Sequence, residues 1–181
     1  MQHCFPVYGG GLEAQGVEGL LTAYRDCLGN ILLSGPTLFG PLIGAASNIA
    51  ASNNCRQDRQ KYDILLILTD GVINDLESTI GAIVAASGQP LSIIIIGIGN
   101  ADFTAMDQLD SDKTMLQSSN GTKASRDIVQ FVSFKEHTSS TASELAACVL
   151  AEVPRQMLQY MEQKGIRPNP PLQQPLQQAI P

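Results

Sequence analysis

The chain has 181 residues, 44% of them hydrophobic, and a formal net charge of −6 from 11 basic and 17 acidic side chains. That length suits one ordinary domain with a core and is awkward for two. An acidic chain without a Lys/Arg run excludes nucleic acid as the expected partner and disfavours direct binding to anionic lipid, because both recognise basic side chains; a divalent cation would reverse the sign locally.

Residues 1–16 are Gly-rich and irregular, without the basic start and continuous apolar region of a signal peptide. From Val17, apolar residues recur at Leu20, Leu21, Tyr24, Cys27, Leu28 and Ile31, a helical stripe that Gly29-Asn30 ends. "SGPTLFGP" follows as a loop, and Leu38–Ala51 reads as a second helix. "SNNCRQDRQK" is a polar loop. Ile64–Leu68 is apolar without alternation, the pattern of a parallel strand covered on both faces. Asn74, with Glu77 three residues later, forms a candidate capping pair for a helix whose apolar face is Leu76, Ile80, Ile83 and Val84. Gly88 and Pro90 stop that helix.

Leu91–Ile96 is the second buried strand, Ala105–Leu109 a short helical turn, Asp110–Ser125 a polar loop and Ile128–Phe134 a third strand nearer an edge. Thr141-x-x-Glu144 is a capping box that opens a last helix, in which Pro154 forces a kink or a break. The tail from Arg167 holds five of the ten prolines and four glutamines, so it is expected to be disordered or polyproline-like; Pro168-x-x-Pro171 is a short, common pattern there. The order is helix, helix, strand, helix, strand, strand, helix. That alternation predicts an α/β, Rossmann-like fold with a mostly parallel sheet and flanking helices. The domain is placed at 1–165 and the Pro/Gln-rich tail at 166–181.

In open α/β sheets ligands sit beyond the carboxyl ends of the strands, and Asp70 in "YDILLILTDGVIND" lies at one such end. Thr37 lies in a loop assigned to the same edge. A hydroxyl with a carboxylate suits Mg²⁺, which takes oxygen ligands and keeps several waters. On spacing alone the better reading of Asp70 is a strand-ending carboxylate that caps the turn into the next helix through Gly71. Other motifs carry less. "GIGNAD" lacks the third glycine of a dinucleotide fingerprint. Asp107, Asp110 and Asp112 lack the order of a calcium loop. His3 and His137 stand far apart, with no hydrolase signature. Cys4, Cys27, Cys55 and Cys148 form no C-x-x-C pair and are read as reduced thiols of a cytosolic chain. Asn120-Gly-Thr122 is read as a turn. No catalytic constellation is visible, and the chain is read as a non-enzyme.

The stretches "LSGPTLFGPLI", "YDILLILTDGVINDLEST", "AIVAASGQPLSIIIIGIGNADFTAMDQLD", "RDIVQFVSF" and "LAACVLAEVPRQMLQYMEQKGIRP" closely resemble, in order, the later part of the von Willebrand factor type A-like domain of the copine family. The resemblance runs from about Gly16 to Pro168. It implies a calcium-dependent phospholipid-binding protein, cytoplasmic and peripheral to the plasma membrane. The type A-like domain of such proteins recruits protein partners and meets the membrane only indirectly. It further implies a metal-ion-dependent adhesion site for Mg²⁺ or Mn²⁺. Thr37 matches that site's second-loop threonine and Asp70 its third-loop aspartate.

The sequence departs from the family pattern in lacking the D-x-T/S-x-S metal loop, the first strands of the sheet and the calcium- and lipid-binding modules. The metal site is therefore expected to be incomplete, with weak or no Mg²⁺ binding, and any Ca²⁺ response to come from modules absent here. Strand Ile64–Leu68 is expected to carry a bare edge, in a truncated product marginally stable alone. The alternative reading is a stand-alone scaffold fragment with no calcium or lipid response.

Overall fold

The computed structural model describes residues 4–7, 13–32, 34–110 and 114–170. Two apolar runs form most of its sheet. β1 (Asp63–Thr69) pairs in parallel with β2 (Leu91–Gly97), from Asp63–Leu91 to Thr69–Gly97, and β3 (Val129–Ser133) pairs in parallel with the other side of β2. The order is β1-β2-β3, so the α/β class with a parallel sheet is the fold found. Around it lie α1 (Gly16–Leu28), α2 (Gly40–Ser52), α3 (Leu76–Ala86), α4 (Thr104–Leu109), α5 (Ala142–Val149) and α6 (Val153–Gln163), with a 3₁₀ turn at Phe134–His137.

The sheet separates two layers. On one face Leu65 and Ile67 of β1, Leu91, Ile93 and Ile95 of β2 and Val129 of β3 pack with Phe39, Ile43 and Ala50, Ile83 and Ala86, and Met106 and Leu109. Of these partners Phe39 is the N-cap of α2, and the others come from α2, α3 and α4 in turn. On the other face Ile94 and Val132 are buried, and Ser92 Oγ donates to Gln156 Oε1 of α6 at 2.6 Å. There β1 departs from the sequence expectation of cover on both faces. Ile64, Leu66 and Leu68 are 49%, 52% and 60% exposed. A continuous apolar run signals strand without saying which neighbours cover it, and here the described helices cover only one face of β1.

The same three residues line the free edge. Asp63 N donates to Pro90 O at 2.8 Å and Ile98 N to Thr69 O at 2.8 Å, so the odd-numbered residues of β1 bond toward β2. Parallel strands alternate their bonding direction along the chain. Ile64, Leu66 and Leu68 therefore turn their N–H and C=O groups outward, where no described strand pairs with them.

The helix boundaries follow local chemistry. The segment after Thr141 divides into α5 and α6, with Pro154 in the first turn of α6, where its missing N–H breaks no bond. Thr141 and Glu144 make the reciprocal capping box: Glu144 N donates to Thr141 Oγ1 at 3.2 Å and Thr141 N to Glu144 Oε2 at 2.7 Å. α1 buries Ala23 and Cys27 but leaves Val17, Leu20, Tyr24 and Leu28 exposed, so its predicted stripe is mostly uncovered. Asn120 does form a turn, its side-chain oxygen accepting from Ser118 Oγ and from Thr122 N. The backbone of Arg167 lies against the 57–60 loop, its N–H donating to Gln57 Oε1 at 2.8 Å. Residues 171–181, most of the Pro/Gln-rich tail, lie outside the described residues.

A second structural feature was not apparent from sequence. Arg126 is 2% exposed and sits at the amino ends of the strands. Its guanidinium donates to Tyr62 Oη (3.0 Å), Gln156 O (3.2 Å), Gln89 O (2.6 Å) and Leu91 O (2.8 Å). It also lies 5.7 Å from the Tyr62 ring centroid and 5.5 Å from that of Tyr160. Burial raises the Tyr160 phenol above its ordinary pKa, and the Arg126 charge opposes that rise.

Candidate functional site

The carboxyl end of β1 opens into a cleft of about 890 Å³. Thr69 and Asp70 line one side of it, Ser34, Pro36, Thr37 and Phe39 the other, and Phe5, Ile31 and Leu32 border it. Such a volume is far more than a hydrated ion needs, so the feature is a groove and not a closed cage. The structure places Thr37 and Asp70, the two residues singled out by sequence, on this one cleft. Both are exposed, and neither the Thr37 hydroxyl nor the Asp70 carboxylate makes a hydrogen bond to a described residue. They are free oxygen donors facing water.

What holds the two loops together is a pair of residues beyond Asp70. Asn74 Oδ1 accepts from Thr37 N at 2.8 Å, and Asn74 N donates to Thr37 O at 2.9 Å. Asp75 Oδ1 accepts from Phe39 N at 2.9 Å and Oδ2 from Gly40 N at 2.9 Å, while Thr79 Oγ1 donates to Oδ1 at 3.1 Å. This corrects the sequence expectation for α3. Its N-cap is Asp75, and Asn74 serves the Thr37 loop instead of forming a pair with Glu77. Asp75 also places its negative charge at the first turn of α2, where free N–H groups and the helix dipole favour it. Gly40 permits the approach: a Cβ there would meet Ser78 Oγ at 2.8 Å and Asp75 Oδ2 at 3.0 Å.

The two aspartates in this segment thus have different roles, and their substitutions separate them. Asp75→Ala strands two backbone donors and the Thr79 hydroxyl, and is expected to cost about 2–3 kcal/mol of stability in urea denaturation. Asp70→Ala removes an exposed group without partners and is expected to stay within about 0.5 kcal/mol of the parent. Equal losses for the two variants would contradict this assignment.

As a cation site the cleft is sparse. Among the described residues no group of three or more His, Cys, Asp and Glu side chains is arranged to hold a metal. One carboxylate and one hydroxyl would leave most positions around Mg²⁺ to water. Of the other acidic candidates, Asp110 Oδ2 accepts from Phe131 N at 2.8 Å, and Asp112 lies outside the described residues. His3 also lies outside them. No helix among the described residues is long and apolar enough to cross a membrane.

Comparison with known proteins gives a consistent result. The Copine family model matches residues 2–169. The chain is 48% identical over 174 residues to Protein BONZAI 1 of Arabidopsis thaliana, covering 94% of this chain and 30% of that protein. It is 47% identical over 172 residues to Protein BONZAI 2 of the same plant, covering 93% and 29%. It is 49% identical over 175 residues to Copine-A of Dictyostelium discoideum, covering 94% and 28%. The chain therefore spans about 30% of the length of these relatives.

Proposed function

Since this chain belongs to the copine family, we propose that it is the protein-binding portion of a calcium-dependent phospholipid-binding protein and has no catalytic role. The observation that carries the reading is the outer side of β1. Ile64, Leu66 and Leu68 combine exposed apolar side chains with a backbone edge that no described strand pairs with, and a strand with such an edge is a template for another chain. Calcium and lipid binding are assigned to other parts of the longer family members. The chain reaches the cytoplasmic face of the plasma membrane indirectly, through those parts.

Sedimentation with phosphatidylserine vesicles tests the division of labour. The 181-residue chain is expected to stay in the supernatant with and without Ca²⁺. Calcium-dependent pelleting of this chain would overturn the assignment.

The metal reading is part of the same proposal. Thr37 and Asp70 would hold Mg²⁺ or Mn²⁺, whose positive charge would let the cleft accept an acidic group from a partner. The donor set is too small for tight binding. Calorimetric titration is expected to show no site tighter than about 1 mM for either ion. Tight binding that disappears in Asp70→Ala would refute the incomplete-site reading.

A further inference from the structure

We propose that Cys148 and His137 form a thiol-exchange site, at which Cys148 takes up a low-molecular-weight disulfide as a mixed disulfide. The Cys148 Sγ lies 3.5 Å from His137 Nε2 and both residues are half-buried, so the pair is open to a small reagent. The fold brings them together from separate elements. His137 ends the 3₁₀ turn after β3, Ser140 N donates to His137 O at 3.0 Å to reverse the chain, and the Thr141 capping box starts α5, which carries Cys148 in its last turn.

The chemistry follows from the pair. A thiolate, not a thiol, attacks a disulfide, and an imidazole within reach supplies the base. With the His137 proton on Nδ1, Nε2 accepts the Cys148 proton. The sulfur attacks one sulfur of R–S–S–R, a Cys148–S–S–R bond forms, the original S–S bond breaks, and the departing R–S⁻ takes the proton from His137. Cys148 is oxidised and R–SH is the reduced product, so the disulfide is itself the oxidant. The imidazole within reach is what sets Cys148 apart.

Among the described residues no other cysteine pairs with an imidazole, and Cys55 is half-buried with no side-chain hydrogen bond to a described residue. Cys27 is buried and donates to Tyr24 O at 3.0 Å, and Cys4 is exposed with no side-chain hydrogen bond to a described residue. Cys4 serves as the internal control for simple access. The site has no overlap with Thr37 and Asp70.

The test exposes the reduced 181-residue chain to oxidised glutathione and follows each cysteine by peptide mass mapping. Cys148 is expected to react about tenfold faster than Cys4, and His137→Gln to remove that advantage while leaving the Cys4 rate unchanged. In urea, where the pair is separated, the preference is expected to vanish in the parent chain, a measurement independent of how the variant folds. Faster modification of Cys4 in the native chain, an unchanged Cys148 rate in His137→Gln, or a preference that survives in urea would each overturn the proposal.

Discussion

Arg126→Met is expected to lower the stability of the chain by about 3–5 kcal/mol, against a total of about 5–15 kcal/mol typical of such domains. The side chain is 2% exposed, and its four hydrogen bonds end on neutral oxygens drawn from four places. Gln89 lies in the turn before β2, Leu91 starts β2, Gln156 belongs to α6, and Tyr62 immediately precedes β1. The guanidinium thus ties the amino ends of two strands to the helix that packs on the second face of β2. Methionine retains much of the stem volume but no donor, leaving the Gln89, Leu91 and Gln156 carbonyls without this partner inside the protein. Each buried acceptor without a donor costs about 1–3 kcal/mol, partly relieved by relaxation.

Arg126→Lys sharpens the prediction. An ammonium is a point charge without the planar fork, so it cannot reach carbonyls on two sides and stack between Tyr62 and Tyr160 together. Most of the loss should remain in the lysine variant. Urea denaturation followed by circular dichroism should show a lower midpoint with an unchanged slope. A loss below about 1 kcal/mol in Arg126→Met would show that the network is incidental.

How much of this was legible beforehand depends on the range of the interaction. The runs Ile64–Leu68 and Leu91–Ile96, the stop at Gly88 and Pro90, and the Thr141–Glu144 box are local signals, and each produced its element. Thr37 and Asp70 could be named because their loops fall at the carboxyl edge of the predicted sheet and in stretches that resemble a known family, and the structure puts both on one cleft. The residues that tie those loops were not legible. Asn74 and Asp75 bond partners 35 to 37 positions away, so their local appearance as helix-start residues concealed the long-range role. Arg126 is further still from any local rule, since its partners lie 30 to 64 positions away and a lone arginine normally faces water. The exposure of β1 escaped for a related reason: periodicity reports strand geometry, while cover depends on how far α5 and α6 extend across the sheet.

That uncovered strand gives the second large effect. Leu66→Lys is expected to lower self-association of the chain by about tenfold in light scattering while changing stability by less than about 0.5 kcal/mol. Leu66 sits at the middle of β1, is 52% exposed, and turns its backbone groups to the free edge, so a lysine there keeps its charge in water in the monomer. In an added strand the same lysine would lie among Ile64 and Leu68 and their counterparts, where its charge must be desolvated. The substitution therefore acts on the paired state and spares the fold. Hydrogen exchange reads the same edge without mutation. Leu65 and Ile67 amides bond toward β2 and should be protected, whereas those of Ile64, Leu66 and Leu68 should exchange quickly in a dilute monomer. Equal protection of both sets in a monomer would mean that the edge is covered by the chain itself, and the proposed binding surface would have to lie elsewhere. The predicted alternation, lost when a partner strand is added and kept in Leu66→Lys, would tie recognition to the backbone edge as well as to its apolar side chains.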